Sequence, residues 1–344
     1  MSARGVSVPR SEENMMKAYV LRAFGPPERL TLTDIDQPVP ADDEVLVRVR
    51  ATSVQPYDWH FLRGEPYIAR LMGGGVGLRK PSIAILGADV AGVVEGIGEA
   101  VTGFRPGDEV FAMLRGGGFA EYVCVRETEL APKPKNLSFE QAAAVPLAAN
   151  TALLALRDEG RVQAGQRVLI NGASGGVGTF AVQLAQAFGA VVTGVCGTRN
   201  LELICSLGAD AVIDYTAADF TRAGQRYDLL VDIAGSRSMS ACRRVLTTEG
   251  AYVAVGGPAG RWLQPAGRMF AALALAPLIS QRVALAEVTR CTRNRENLMA
   301  LTELIENGKI TPVIDRTYPF TEIPAAVRYQ EEGHATGKVV VVSD

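Results

Sequence analysis

Between residues 171 and 178 the chain reads Asn-Gly-Ala-Ser-Gly-Gly-Val-Gly, after the apolar run Arg167-Val-Leu-Ile170 and before Thr179-Phe-Ala-Val-Gln-Leu-Ala-Gln-Ala187. An apolar run, a cluster of glycines and an apolar stretch at helical spacing predict a strand, a tight turn and a helix start. The chemistry such a turn does best is to hold a pyrophosphate. Ser174, Gly175, Gly176, Val177 and Gly178 present main-chain N–H groups at the positive end of a helix dipole. Gly175 lets the main chain approach the phosphates, and Gly178 lets helix and strand pack closely. Ala173 stands where the usual G-x-G-x-x-G has its first glycine, and Val191-Val-Thr-Gly-Val-Cys196 supplies the second strand of a β-α-β unit. The spacing predicts a bound dinucleotide.

The end of that second strand selects the dinucleotide. An NAD-preferring unit places Asp or Glu there to bond the ribose 2′-hydroxyl. Here the stretch is Val195-Cys-Gly-Thr-Arg-Asn200, and the next acid, Glu202, falls inside the following helix. Thr198 and Arg199 can instead donate to a 2′-phosphate, so NADPH is the expected cofactor. The carboxyl ends of the later strands, Ala234-Gly235 and Val255-Gly256-Gly257, lie where a doubly wound sheet receives its ligand.

These residues need a sheet to position them, and the chain is long enough to build two domains. It has 344 residues, 48% of them hydrophobic, and a formal net charge of −2, which provides no global field to attract nucleic acid or acidic lipid. Five dispersed cysteines (124, 196, 205, 242 and 291) contain no C-x-x-C pair, which fits reduced thiols in the cytoplasm. Residues 1–15 read as a loose tail without the apolar core of a secretory signal. The most apolar run, Met269 to Ile279, falls short of the roughly 20 residues that span a bilayer and reads as a buried helix or subunit contact.

From Met16 to about residue 140, short β-like runs alternate with Pro and Gly: 17–21, 44–50, 90–95, 108–112 and 118–125. They predict a partly open β-barrel. Ser138 with Gln141 forms a capping box that starts a helical connector. Residues 141–290 alternate strands near 167–171, 191–196, 211–215, 228–233 and 251–255 with helices, the pattern of a doubly wound parallel sheet. Residues 291–344 hold an amphipathic helix (293–308) and a strand at 338–343 that has no local partner and is expected to return to the first domain's sheet.

This order of features resembles the medium-chain dehydrogenase/reductase superfamily, and within it the zinc-free quinone oxidoreductase (zeta-crystallin-like) branch. The likeness runs from Met16 to the end, through Leu86-Gly-Ala-Asp-Val-Ala-Gly-Val-Val94, Arg105-Pro-Gly-Asp-Glu-Val110, Gly117-Gly-Phe-Ala-Glu-Tyr122, Ala144-Val-Pro-Leu-Ala-Ala-Asn-Thr-Ala152 and Asn171 to Gly178. It implies an α/β fold: a GroES-like partly open β-barrel catalytic domain plus a doubly wound Rossmann nucleotide-binding domain. It also implies Tyr215 against the 2′-phosphate and Thr151 at the nicotinamide amide. The zinc ligands of the superfamily's alcohol dehydrogenases fall on Gln55, Ala88 and Leu147, none of which binds zinc usefully, so no metal is expected.

Without a Lewis acid, charge arising on a single oxygen is hard to stabilise, which favours quinones and α,β-unsaturated carbonyls that spread it by conjugation. The branch's substrate loop carries an asparagine and two tyrosines, and these positions become Gln55, His60 and Tyr67. An unperturbed His60 titrates near neutrality and can protonate a reduced enolate; the alternative is a packed or surface histidine. Asp58 matches a structural aspartate at the base of the loop, and the glycine-rich stretch 69–80 reads as a rim of the cleft. The resemblance further implies a homodimer joined through the edge strand of the nucleotide sheet, near 282–289. Two other readings stay open: a non-catalytic NADPH-binding regulatory protein, and a biosynthetic enoyl or enone reductase with one dedicated substrate.

Overall fold

The computed structural model describes residues 14–71, 76–257, 260, 262, 280–288 and 292–343. The apolar run Met269–Ile279 and parts of the rim and tail lie outside these residues. An antiparallel pair opens the fold, β1 (Met15–Leu21) with β2 (Leu30–Asp36), and Met15 already belongs to the strand rather than to the tail. The first domain continues with β3 (Glu44–Val54), α1 (Pro56–Arg63), α2 (Tyr67–Leu71), β4 (Asp89–Ile97), β5 (Glu109–Met113), β6 (Tyr122–Arg126) and β7 (Leu130–Pro132). Residues 118–121, expected as strand, instead make the short way in to β6, meeting β1 at the Ala18–Ala120 bridge, where Tyr19 N–H donates to the Phe119 carbonyl and Glu121 N–H to the Lys17 carbonyl.

Two connector helices follow. The first, α3 (Phe139–Ala143), starts at the expected capping box, with Gln141 N–H donating to Ser138 Oγ at 3.3 Å and Ser138 N–H donating to Gln141 Oε1 at 3.0 Å. The second, α4 (Pro146–Leu153), runs on into a π-helical turn at Leu154–Glu159. The alanines of these helices, Ala142, Ala143, Ala144, Ala148, Ala149 and Ala152, are buried, and their small side chains let both sheets approach. One core therefore joins Ala51, Ala91 and Phe111 of the first domain to Val168 and Ile170 of the second.

The second domain is built from β8 (Arg167–Asn171), α5 (Gly176–Ala187), β9 (Val191–Cys196), α6 (Leu201–Ser206), β10 (Ala211–Asp214), β11 (Tyr227–Asp232), α7 (Met239–Arg243), β12 (Leu246–Ala254) and β13 (Arg282–Leu285). The strands form one parallel sheet in the order β10-β9-β8-β11-β12-β13. The order reverses between β8 and β11, which opens the ligand crevice at the ends of those two strands.

The chain then returns through α8 (Asn294–Glu306), β14 (Ile314–Pro319) and α9 (Ile323–Glu331) to β15 (Lys338–Val342). The run Lys338-Val-Val-Val-Val342 is buried through Val341, and β15 inserts between β14 and β3, completing a seven-stranded sheet. Register does the rest. Ser53 faces Asp89 across the β3–β4 pair and Val340 across the β15–β3 pair, so the first residue of β4 and the first of β15 both come to the substrate loop.

Candidate active site

The glycine turn lies at the β8–β11 reversal. Gly172 has φ +91°, and a Cβ there would sit 3.1 Å from Ala234. A Cβ on Gly178 would lie 2.1 Å from the Gly172 carbonyl oxygen, so only glycine lets α5 start this close to β8. Around Gly175 there is space, the nearest atom to a Cβ being 3.8 Å away. Gly175 caps α5 without a side-chain acceptor, so the first N–H groups of a 12-residue helix are left for a ligand. This uncapped start, flanked by the main chain of Ser174, Gly175, Gly176, Val177 and Gly178, fits a pyrophosphate. Ala173 is fully buried and its N–H donates to Val195 at 2.9 Å, which accounts for a methyl group at the first motif position.

Buried polar groups brace the crevice floor. Asn171 Nδ2 donates to Asp232 Oδ1 at 2.7 Å, and the same oxygen accepts from Gly235 N–H at 2.9 Å. Tyr252 donates to Asp232 Oδ2 at 2.7 Å. Ala234 N–H reaches the Asn171 carbonyl at 3.1 Å, and Val255 and Gly256 N–H both turn toward the Asp232 carbonyl. Ala234, Val255 and Gly256 thus share the carboxyl edge of the sheet.

Thr198, Arg199 and Tyr215 converge where the ribose phosphate was expected. Tyr215 lies just beyond β10, 58% exposed, with its hydroxyl 3.4 Å from where a Cβ on Gly197 would stand. Thr198 and Arg199 each have a partner within the chain. Arg199 Nη2 donates to the His334 carbonyl, and Thr198 Oγ1 donates to Asp214 Oδ2 at 2.6 Å. Asp214 also accepts from Thr216 N–H at 2.9 Å and Thr216 Oγ1 at 2.7 Å, and these hydrogen bonds hold its carboxyl below the usual range. The sequence reading, confined to the end of the second strand, missed this acid at the end of the third. The signal was the Asp immediately before Tyr215.

At the substrate loop, Gln55 precedes α1 and is 3% exposed. Its Nε2 donates to Ser53 Oγ at 3.1 Å and, at shorter range, to Asp89 Oδ2. Asp89, wholly buried, also accepts from Ser53 Oγ at 2.5 Å and from Leu147 N–H at 2.8 Å, and Lys338 Nζ stands 3.5 Å away. Burial pushes the Asp89 carboxyl up and the Lys338 ammonium down, and each charge opposes the other's shift. With donors on both oxygens, Asp89 is best described as the anion facing a cationic Lys338. Gln55 and Leu147, two of the three positions aligned with zinc ligands, therefore meet on a carboxylate next to the third, Ala88. Among the described residues no group of three or more His, Cys, Asp or Glu is placed to hold a metal ion.

Asp58, also wholly buried, accepts from Gln55 N–H at 2.8 Å and Gly87 N–H at 2.9 Å, fastening the loop base. Burial pushes its carboxyl up to about 7. His60 stacks on Trp59 with ring centroids 3.8 Å apart, and burial pushes it down to about 4. Of the two readings for His60, this environment is that of the packed histidine. Its Nδ1 faces the Glu65 carbonyl at 3.1 Å; a carbonyl only accepts, so the neutral ring carries its proton on Nδ1 and keeps none on Nε2 to give away. Tyr67, on α2, packs edge-on against Trp262 at 5.2 Å, with the Arg70 guanidinium 4.8 Å from its ring centre. In α4, Thr151 Oγ1 donates to its own turn at Leu147 O, 2.7 Å, which leaves its oxygen able only to accept from a nicotinamide amide.

Comparison with known proteins agrees with this architecture. Residues 41–135 match the alcohol dehydrogenase GroES-like domain, and residues 207–341 match the zinc-binding dehydrogenase family. The mouse protein named mitochondrial NAD(P)H oxidoreductase RTN4IP1 is 35% identical, over 98% of this chain and 92% of its own length. The Arabidopsis thaliana chloroplastic NADPH-dependent alkenal/one oxidoreductase is also 35% identical, over 99% and 83%. A quinone oxidoreductase structure from Coxiella burnetii superposes with TM-score 0.82 at 29% identity, covering 95% of this chain and 99% of that one. The chain belongs to the medium-chain dehydrogenase/reductase superfamily.

The nucleotide sheet and the GroES-like domain share one packed core. This member fastens them by Gln183, which donates to Thr311 O at 2.9 Å and accepts from Thr311 N–H at 2.8 Å. A second tie links Asn150 on α4 to Asn294 and Asn297 on α8 at 3.1 and 2.8 Å. Sequence reasoning missed Ser53, Asp89 and Lys338 altogether, because each is unremarkable beside its sequence neighbours.

Proposed function

We propose that this superfamily member is a zinc-independent reductase that uses NADPH to reduce quinones or α,β-unsaturated carbonyls. The observation that carries the reading is the Gln55-Asp89-Lys338 cluster, which includes one of the positions aligned with zinc ligands and adjoins the other two: it offers an amide and a paired carboxylate rather than thiolate and imidazole donors. When bound, the nicotinamide supplies hydride. The chain's own residues bind and orient. Gly175 to Gly178 take the pyrophosphate, Thr198, Arg199 and Tyr215 the 2′-phosphate, Ala234, Val255 and Gly256 the nicotinamide riboside, and Thr151 its amide. Gln55 and Tyr67 border the acceptor. Conjugation spreads the acceptor's developing charge, and water supplies the proton, since His60 has none to give.

Thr198 and Arg199 support NADPH over NADH, with Asp214 as a counterweight. Free thiols at Cys124, Cys196 and Cys205 suit the reducing cytoplasm. The β13 edge of the parallel sheet suits pairing with a second copy, checked by sedimentation. The test of activity is absorbance at the reduced-nicotinamide band, with NADPH or NADH against quinones, enones and plain aldehydes. Oxidation by conjugated acceptors alone supports the proposal; NADPH binding with no turnover would make the chain a binding protein instead.

A further inference from the structure

Asp89 and Lys338 make an ion pair in which both side chains are almost wholly enclosed, 0% and 2% exposed. Its partners lead to every part of the cleft. Through Ser53 and Gln55 the carboxylate holds the substrate loop, and through Leu147 N–H it holds the start of the helix that carries Thr151. Lys338 leads the other way. Gly337 N–H donates to the Ser174 carbonyl at 2.9 Å, Gly337 bridges Gly175, and the Lys338 stem lies 2.9 Å from where a Cβ on Gly176 would be. The same segment reaches the ribose end, with Thr336 Oγ1 3.2 Å from Asn200 Oδ1 and the His334 carbonyl on Arg199.

We propose that Lys338 and Asp89 are a positioning pair that couples occupation of the pyrophosphate turn to the placement of Gln55, so that cofactor binding sets the substrate loop for hydride transfer. The physical reason is rigidity. A buried pair whose every oxygen is engaged has one arrangement, so the glycine turn, the start of α4 and the loop at Gln55 move together or not at all. The pair touches no reacting atom; it acts through Gln55. The proposal rests on the reductase reading above.

The test compares wild type with the double variant Asp89→Asn/Lys338→Met, which removes both charges and so avoids leaving one buried alone, and with Lys338→Arg. Hydrogen exchange of the amides of residues 55–63 is followed with and without NADPH, beside NADPH affinity, thermal stability and turnover. Expected in wild type is slower exchange of these amides on NADPH binding. In the double variant that protection vanishes while melting temperature and NADPH affinity stay near wild type, and kcat falls about 100-fold with little change in acceptor KM. Lys338→Arg recovers part of both. Protection that persists in the double variant, or a fall in kcat that tracks loss of folded protein without recovery in Lys338→Arg, would overturn the coupling. Should wild type bind NADPH yet reduce no conjugated acceptor, the reductase reading fails by itself, and the exchange measurement still decides the coupling.

Discussion

Arg199 donates from Nη2 to the main-chain carbonyl of His334, a residue 135 positions further on. The side chain expected to meet a 2′-phosphate thus also ties the nucleotide domain to the segment that leads into β15. A phosphate is the stronger acceptor, being charged, so on the proposed reading a 2′-phosphate would draw the guanidinium toward itself. Arg199→Ala is expected to weaken NADPH about tenfold, from the loss of one exposed charge-assisted bond of about 1.5 kcal/mol, and to leave NADH nearly unchanged. Titration of nicotinamide fluorescence with each cofactor measures both. Equal weakening of the two would remove Arg199 from the phosphate site.

Asp214 presents a carboxylate to Thr198, the other expected phosphate donor. Like charge opposes the phosphate, and salt screens that opposition at an exposed site. Asp214→Asn is therefore expected to tighten NADPH relative to NADH, more at low ionic strength than at high. Unchanged selectivity at both salt concentrations would mean that the Asp214 carboxylate is too distant to matter.

Asp58 makes stability depend on pH. Its carboxyl is raised to about 7 from an ordinary 3.8. At pH below the ordinary value both folded and unfolded chains carry the proton. Between the two values only the folded chain keeps it, so stability falls as pH rises, by an amount on the order of 4 kcal/mol across the window. Denaturant melts from pH 4 to 8 should show the wild-type advantage over Asp58→Asn shrinking up to about pH 7 and then levelling. A constant difference would show that the Asp58 carboxyl is ionised throughout.

His60 acts in the opposite sense. Lowered to about 4 from 6.5, it contributes stability that is present above pH 6.5 and lost as pH falls toward 4. His60→Phe keeps a ring on Trp59 and removes the titration, so its acid limb should be flatter than that of wild type. Turnover should lack an inflection near 6.5 in both proteins. An inflection near 6.5 that His60→Phe abolishes would restore the histidine as an acid.

Residues adjacent in the chain were the most legible. Asn171 to Gly178 carries its turn, its helix start and its close-packing glycine within eight positions, and Ser138 with Gln141 makes its cap within four. The strands β8 to β12 declare themselves by short apolar runs between turn residues. Less legible were β2, with alternating exposure and few large apolar residues, and β14, a mostly exposed strand. For His60 the residue type left two readings open, an acid near neutrality or a packed ring, and only the tertiary burial that pushes it down distinguishes them.

The sequence by itself determined a parallel nucleotide sheet, a glycine turn for a dinucleotide, and the absence of thiolate and imidazole at the aligned zinc positions. The sheet and the turn follow from residue type and from spacing along the chain, and the zinc positions from the family resemblance. The tertiary structure alone decided what stands in the metal's place. Ser53, Gln55, Asp89, Leu147 and Lys338 lie on separate elements, and only the register of β3 with β4 and the return of β15 to that sheet bring them together. A buried charge needs its partner within a few ångströms, and the fold, by pairing strands hundreds of residues apart, supplies it.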